Sequence, residues 1–149
     1  MEQFCVDFLE RLHDLHHEFI ETFEGLPAEA LDWIPGDEMN SLCVLVVHTT
    51  GSTQWWIGIA LGDPPERNRD LEFQAKGLSA AELKDRFAAV EANACSGLER
   101  FALADLAVVY PVPNRDRRIS AAWGLLHALE HIGIHLGHAQ ITRQLWERR

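Results

Sequence analysis

Apolar positions recur at helical spacing in four stretches of this chain, and clusters of proline, glycine and polar residues separate them. From about Glu2 to Glu24, Phe4, Phe8, Leu12, Leu15, Phe19 and Phe23 form a single stripe, which a 3.6-residue period places on one helix face. Gly25 and Pro27 end that helix. The connector GLPAEALDWIPGDEMN is turn-rich, with room for one short helical turn at Ala28 to Leu31. Asn40 or Ser41 caps a second helix that should run to about Leu61. It is apolar on nearly every side, so it is expected to be largely enclosed. Gly62, Asp63, Pro64 and Pro65 stop it. The polar stretch from there through Lys76 reads as an exposed loop.

Ser79 to Glu82 is an S-x-x-E capping box and opens a third helix reaching roughly Arg100. Ala104 to Ile119 holds VVYPVP and NRDRR; β-branched residues and prolines make it an extended connector. Ser120 caps a fourth helix running to about Trp146, with Arg143, Arg148 and Arg149 suited to its C-terminal end. Four helices and no convincing sheet predict an all-α four-helix bundle, one domain over residues 1–149. The long connectors before the second and fourth helices allow a crossover topology.

Composition narrows the partners. A formal charge of −10 disfavours nonspecific binding to nucleic acid or to an anionic membrane. Cys5, Cys43 and Cys95 are odd in number and none has C-x-x-C spacing. That argues against a disulfide framework or a cysteine zinc site and suits a reducing cytoplasm. The N-terminus MEQFCVDFLERLHD has acids where a signal peptide needs a basic start. Leu42 to Leu61 is interrupted by His48, Thr49, Thr50, Ser52, Thr53 and Gln54, so it does not read as a membrane span. The apolar circumference of the second and fourth helices would suit a homodimer.

The candidate chemistry lies in the fourth helix. His127, His131, His135 and His138 fall within HALEHIGIHLGH. At about 100° per residue they occupy an arc roughly 80° wide. Imidazole is the commonest protein ligand for zinc, nickel and similar ions. His131 and His135, at i and i+4, are the best pair to share one ion, with Gly133 and Gly137 leaving room for close helix approach. His48, alone on the apolar second helix and sharing a face with Ser52, Trp55 and Ile59, is the natural third ligand. Three histidines from two helices leave coordination positions open, as in a catalytic site. The competing reading makes these side chains core histidines bonded to backbone or to each other.

The other candidates are weaker. His13 and His17 lie toward the polar side of the first helix and read as solvated, whereas His16 lies nearer its apolar stripe. Trp55 would wall a pocket at His48, with Trp56 packing elsewhere. Glu130 reads as a structural pair, since neighbours on a helix diverge. Arg115, Arg117 and Arg118 form the only dense basic cluster. It reads as a solvated loop first, and as a carboxylate-binding site for a thiol cofactor second.

The segments LDWIPGDEMNSLCVLVVHTTGSTQWWIG and HALEHIGIHLGHAQITRQLW resemble the two signature blocks of the DinB/YfiT-like superfamily of bacterial metal-binding four-helix proteins. With helix positions and spacing, the resemblance covers nearly the whole chain. In that family one histidine of the second helix and two, four apart, in the last helix hold the metal. Carried over, these are His48, His131 and His135. The family's glutamine after H-x-G is His138 here, with Gln140 two residues on, which leaves the role of His138 open. The family includes thiol-dependent S-transferases and a thiol-dependent isomerase. The resemblance thus implies a divalent metal with a low-molecular-weight thiol and a small-molecule substrate; the all-histidine donor set suits zinc, nickel, iron or copper, zinc and nickel first. The reaction the resemblance implies is S-transfer or hydrolysis. A non-catalytic metal-binding or stress-response bundle, or a dimeric helical module without metal, are the alternatives.

Overall fold

In the computed structural model, which describes all 149 residues, four long helices carry the fold: α1 (Gln3–Glu21), α3 (Leu42–Ala60), α5 (Ala80–Leu98) and α6 (Ala121–Glu147). Each begins near where the local chemistry sets it. The Ser41, Ser79 and Ser120 hydroxyls accept from the backbone N–H groups of Val44, Glu82 and Trp123, each at 3.2 Å. The Glu82 carboxylate returns the bond to the Ser79 N–H at 2.8 Å and completes the capping box. Gly25 and Gly62 lie just beyond α1 and α3 with φ of 75° and 79°, the left-handed conformation that ends a helix without a Cβ clash.

The α1 stripe supplies Cys5, Phe8, Leu12, Leu15 and Phe19 to the core, and Phe23 follows from the turn beyond it. Only Gly51 and Gln54 of α3 escape full burial, so this helix is enclosed as its composition predicts. α3 packs against α5 and α6, and α1 packs against the same two. α1 and α3 therefore sit diagonally, as do α5 and α6, although all three connections between the long helices are of similar length. Close approach of α3 and α6 depends on Gly124: a Cβ there would lie 3.2 Å from the Trp56 carbonyl oxygen and 3.3 Å from the Ala60 Cβ. By contrast, a Cβ at Gly133 or Gly137 would meet nothing. Those two glycines do not serve helix approach.

The connectors are more ordered than their composition suggests. Ala28–Leu31 is the expected short helix, α2. The loop expected to be exposed before Lys76 contains a second one, α4 (Arg69–Glu72), and Glu72 is buried. The segment before α6 is extended, as expected, but its strands pair. β1 (Val109–Pro111) and β2 (Arg118–Ser120) form an antiparallel hairpin with Tyr110 opposite Ile119. Strands of three residues are too short to show alternation, and their pairing is visible only in three dimensions. All three cysteines are free, and no helix is long and apolar enough to cross a membrane.

Candidate metal centre

The contact between α3 and α6 brings His48 against the middle of the histidine stripe. One ring nitrogen from each of His48, His131 and His135 lies within 4.8 Å of the other two. The ring centroids of His48 stand 5.1 Å from His131 and 4.9 Å from His135, and the two α6 rings are 4.4 Å apart. The Nε2 atoms of His131 and His135 face each other at 3.2 Å. Two nitrogens bound at about 2.0–2.1 Å on a tetrahedral ion would stand about 3.3 Å apart. The same spacing serves an N–H···N hydrogen bond between two neutral rings. Nδ1 of His131 is buried without a partner.

His48 is held from behind by a residue that sequence reasoning missed. Its Nδ1–H donates to Glu72 Oε2 at 2.8 Å. A carboxylate only accepts, so this bond fixes the hydrogen on Nδ1 and leaves the Nε2 lone pair free. Arg67 clamps the same carboxylate, Nε to Oε1 at 2.7 Å and a terminal nitrogen to Oε2 at 2.8 Å. Burial pushes the Glu72 carboxyl up, but the bonds from His48 and Arg67 together outweigh it and hold it below the usual range. The carboxylate reaches this position because residue 51 has no side chain: a Cβ on Gly51 would lie 2.5 Å from Glu72 Oε1. Phe73 then covers the His48 ring at 4.6 Å. A glycine in the middle of an apolar helix was the available signal, since it costs helix stability and marks a close approach.

Burial first, and then the neighbouring imidazoles, lower His131 to about 3 and His135 to about 4. Both rings are neutral at physiological pH, the form in which imidazole binds a metal. The unfolded chain takes up protons at these positions near pH 6.5 and the native state does not, so the unfolded state gains as pH falls. The metal-free protein is expected to lose melting temperature steadily from pH 6.5 toward pH 4. His131→Gln, which does not titrate, should flatten that slope. A thermal melt series in matched buffers reads both, and parallel slopes for the two proteins would contradict it.

The remaining sequence candidates divide. His138 approaches His135, Nδ1 to Nδ1 at 3.3 Å, beside the trio and not within it. His127 stacks on Trp123 at 4.6 Å, meets Trp56 edge-on at 4.7 Å, and bonds Glu130 at 3.0 Å. Glu130 is thus a structural partner, and Trp56 packs away from His48. His16 is fully buried, but it bonds Glu91 at 2.8 Å and packs on Phe87; it does not support the trio. His13 is exposed yet shares Glu91 at 3.1 Å, and His17 is exposed near Glu21. The basic cluster is not simply solvated. Arg115 lies over Trp55 and Trp56, Arg117 over Trp123 at 4.2 Å, and Arg118 bonds the Val109 carbonyl.

The fold recurs in solved structures. A conserved protein from Enterococcus faecalis superposes with a TM-score of 0.79 at 19% identity, covering 95% of this chain and 96% of that one. A DinB-like protein from Bacillus cereus gives 0.73 at 16% identity, with 92% and 89% covered. YfiT from Bacillus subtilis, described as a probable metal-dependent hydrolase with an unusual four-helix bundle topology, gives 0.76 at 12% identity, with 97% and 88% covered. No curated protein matches the chain. The sequence profile of the DinB superfamily matches residues 11–139. With the four-helix crossover bundle and a histidine trio between α3 and α6, the chain belongs to the DinB superfamily.

Proposed function

We propose that His48, His131 and His135 hold one divalent metal ion, zinc or nickel, and that the protein is a metal-dependent enzyme of small-molecule S-transfer or hydrolysis. The observation that carries this reading is the convergence of three ring nitrogens from two helices, with one ligand set by a buried Glu72–Arg67 pair. Three imidazoles would leave coordination positions open, and a divalent cation held there would supply Lewis-acid chemistry, lowering the pKa of a thiol or water toward neutrality. The protein groups do the rest. Glu72 orients His48 and raises its basicity as a ligand. Phe73 covers one side of the His48 ring. Glu72 is committed to two partners and Glu130 to His127, so neither is free to act as a general base. Activation would therefore be supplied by the ion held on His48, His131 and His135. That YfiT, with the same fold, is described as a probable metal-dependent hydrolase supports the reading.

Cobalt substitution tests it. Protein loaded with cobalt should show visible bands of a low-coordinate site, and titration with cysteine or 2-mercaptoethanol should shift them to saturation. Bands that ignore thiols would remove S-transfer and leave hydrolysis. Failure to load cobalt at all would remove both.

A further inference from the structure

Beside the histidine trio lies a cleft of about 810 Å³, lined among others by Trp55, Arg67, Asn68, Arg69, Asn114 and Arg115. Its walls come from the loop after α3 and from the hairpin turn, and three prolines, Pro64, Pro65 and Pro113, stiffen them. Trp55 and His48 are on one face of α3, seven residues apart, so the cleft opens about 10 Å along that helix from His48. Arg67 is common to both places. It lines the cleft, stands 5.6 Å from the Trp55 ring, and grips the carboxylate that holds His48.

The cationic groups of this cleft are unequal. Arg67 is neutralised by Glu72. Arg69 and Arg115 are exposed and form no ion pair, although the chain has a surplus of acids. Aromatic rings position them: Arg69 lies 4.8 Å over Phe73, itself tilted against His48, and Arg115 lies 5.7 Å from Trp55. A guanidinium drawn to an aromatic ring by cation–π attraction loses less freedom on binding than a fully solvated one. Glu66 is the one carboxylate in the lining, and two unpaired arginines against it leave the cleft positive.

We propose that this cleft binds the anionic group, carboxylate or phosphate, of the molecule whose reactive end reaches the histidine trio, with Arg69 and Arg115 as the recognising residues. The assignment rests on the function proposed above for the trio. It predicts a two-ended substrate, with acid and reacting atom separated by roughly the 10 Å between cleft and His48. Arg69 and Arg115 come from segments 46 residues apart, so recognition requires the hairpin to be docked against α3.

Calorimetric titration of the metal-free protein with inorganic phosphate, and separately with succinate, at constant ionic strength tests it. The expected result is saturable one-site binding in the millimolar range for at least one probe. Phosphate alone would indicate a phosphorylated substrate and succinate alone a carboxylic acid. Arg69→Ala and Arg115→Ala should each weaken binding at least about tenfold, the loss of a charge-assisted bond. Arg100→Ala, in a different cleft, should not. Absence of saturable binding to both probes, or wild-type affinity in both cleft variants with unchanged melting temperatures, would overturn the proposal. The titration contains no metal, so failure of the histidine trio to bind zinc leaves it readable, and a failed titration leaves zinc binding by the trio to be measured on its own.

Discussion

His131→Ala and His135→Ala are each expected to abolish retention of metal through dialysis. Tag-free wild-type protein reconstituted with zinc or nickel should keep close to one ion per chain. Removing one of three ligands leaves two imidazoles, too few to hold an ion against exchange. Affinity should therefore fall by more than the roughly 10–100-fold that follows loss of an outer hydrogen-bond partner. His48→Ala should do the same from the other helix, although His48 is 83 residues from His131 in sequence. His127→Ala is the discriminating control. That ring belongs to the same stripe, but it is engaged with Trp123, Trp56 and Glu130. If the stripe were a loose ladder of metal-binding imidazoles, His127→Ala would weaken binding as much as His131→Ala. If the trio is the site, it should leave metal content unchanged. Elemental analysis of the dialysed proteins gives the answer, and equal, low metal in wild type and all variants would sink the metal centre altogether.

Competition with protons sharpens the same experiment. His131 and His135 are held near 3 and 4, first by burial and then by neighbouring charges, His135 foremost for His131 and His48 foremost for His135. Neither ring needs to shed a proton to bind metal at pH 6. Metal retention should accordingly change little between pH 7.5 and 5.5, where exposed histidines with ordinary affinity for protons would release their ion.

What could be read from sequence was the part that is local. The α1 stripe and the serine caps of α3, α5 and α6 each depend on residues within a few positions, and all stand where their chemistry puts them. Connector length allowed a crossover without locating it, because the connection between the adjacent helices α3 and α5 is as long as the two diagonal ones. The histidine trio was half legible. The i, i+4 pair shows on α6 by spacing alone, whereas His48 stands out by the cost of burying an imidazole among Val and Leu. The hairpin was not legible, because Tyr110 and Ile119 are partners only once the chain has turned at Asn114. Nor was Glu72. RNRDLEFQAK reads as a solvated, charged loop. Its one buried acid is drawn inward by His48 and Arg67 and admitted by the missing side chain at Gly51, and no periodicity in its own segment encodes that.

Glu72→Gln is expected to have the second-largest effect on the metal centre, and Glu72→Ala the largest on stability. In the native protein the carboxylate receives His48 Nδ1–H and both prongs of Arg67 with nearly no solvent access. Glutamine keeps the shape but presents one acceptor oxygen and an NH2 group that faces either the His48 N–H or the guanidinium. His48 then loses its charged partner and its fixed hydrogen position, and zinc affinity should drop about 10–100-fold. Alanine removes the anion and leaves the Arg67 guanidinium, 11% exposed, without a counter-charge. Breaking a buried pair this way costs about 3–5 kcal/mol, which denaturant unfolding of the metal-free protein reads without reference to metal. Gly51→Ala approaches the same carboxylate from α3. Its Cβ would sit 2.5 Å from Oε1, so the carboxylate must retreat, and the variant should reproduce the zinc defect of Glu72→Gln although alanine favours the helix by about 1 kcal/mol. A double variant, Gly51→Ala with Glu72→Gln, should bind zinc no more weakly than the worse single one, because both act through the hold on His48. Additive losses would mean that Gly51 and Glu72 act on the centre by separate routes, and unchanged affinity in both singles would remove Glu72 from it.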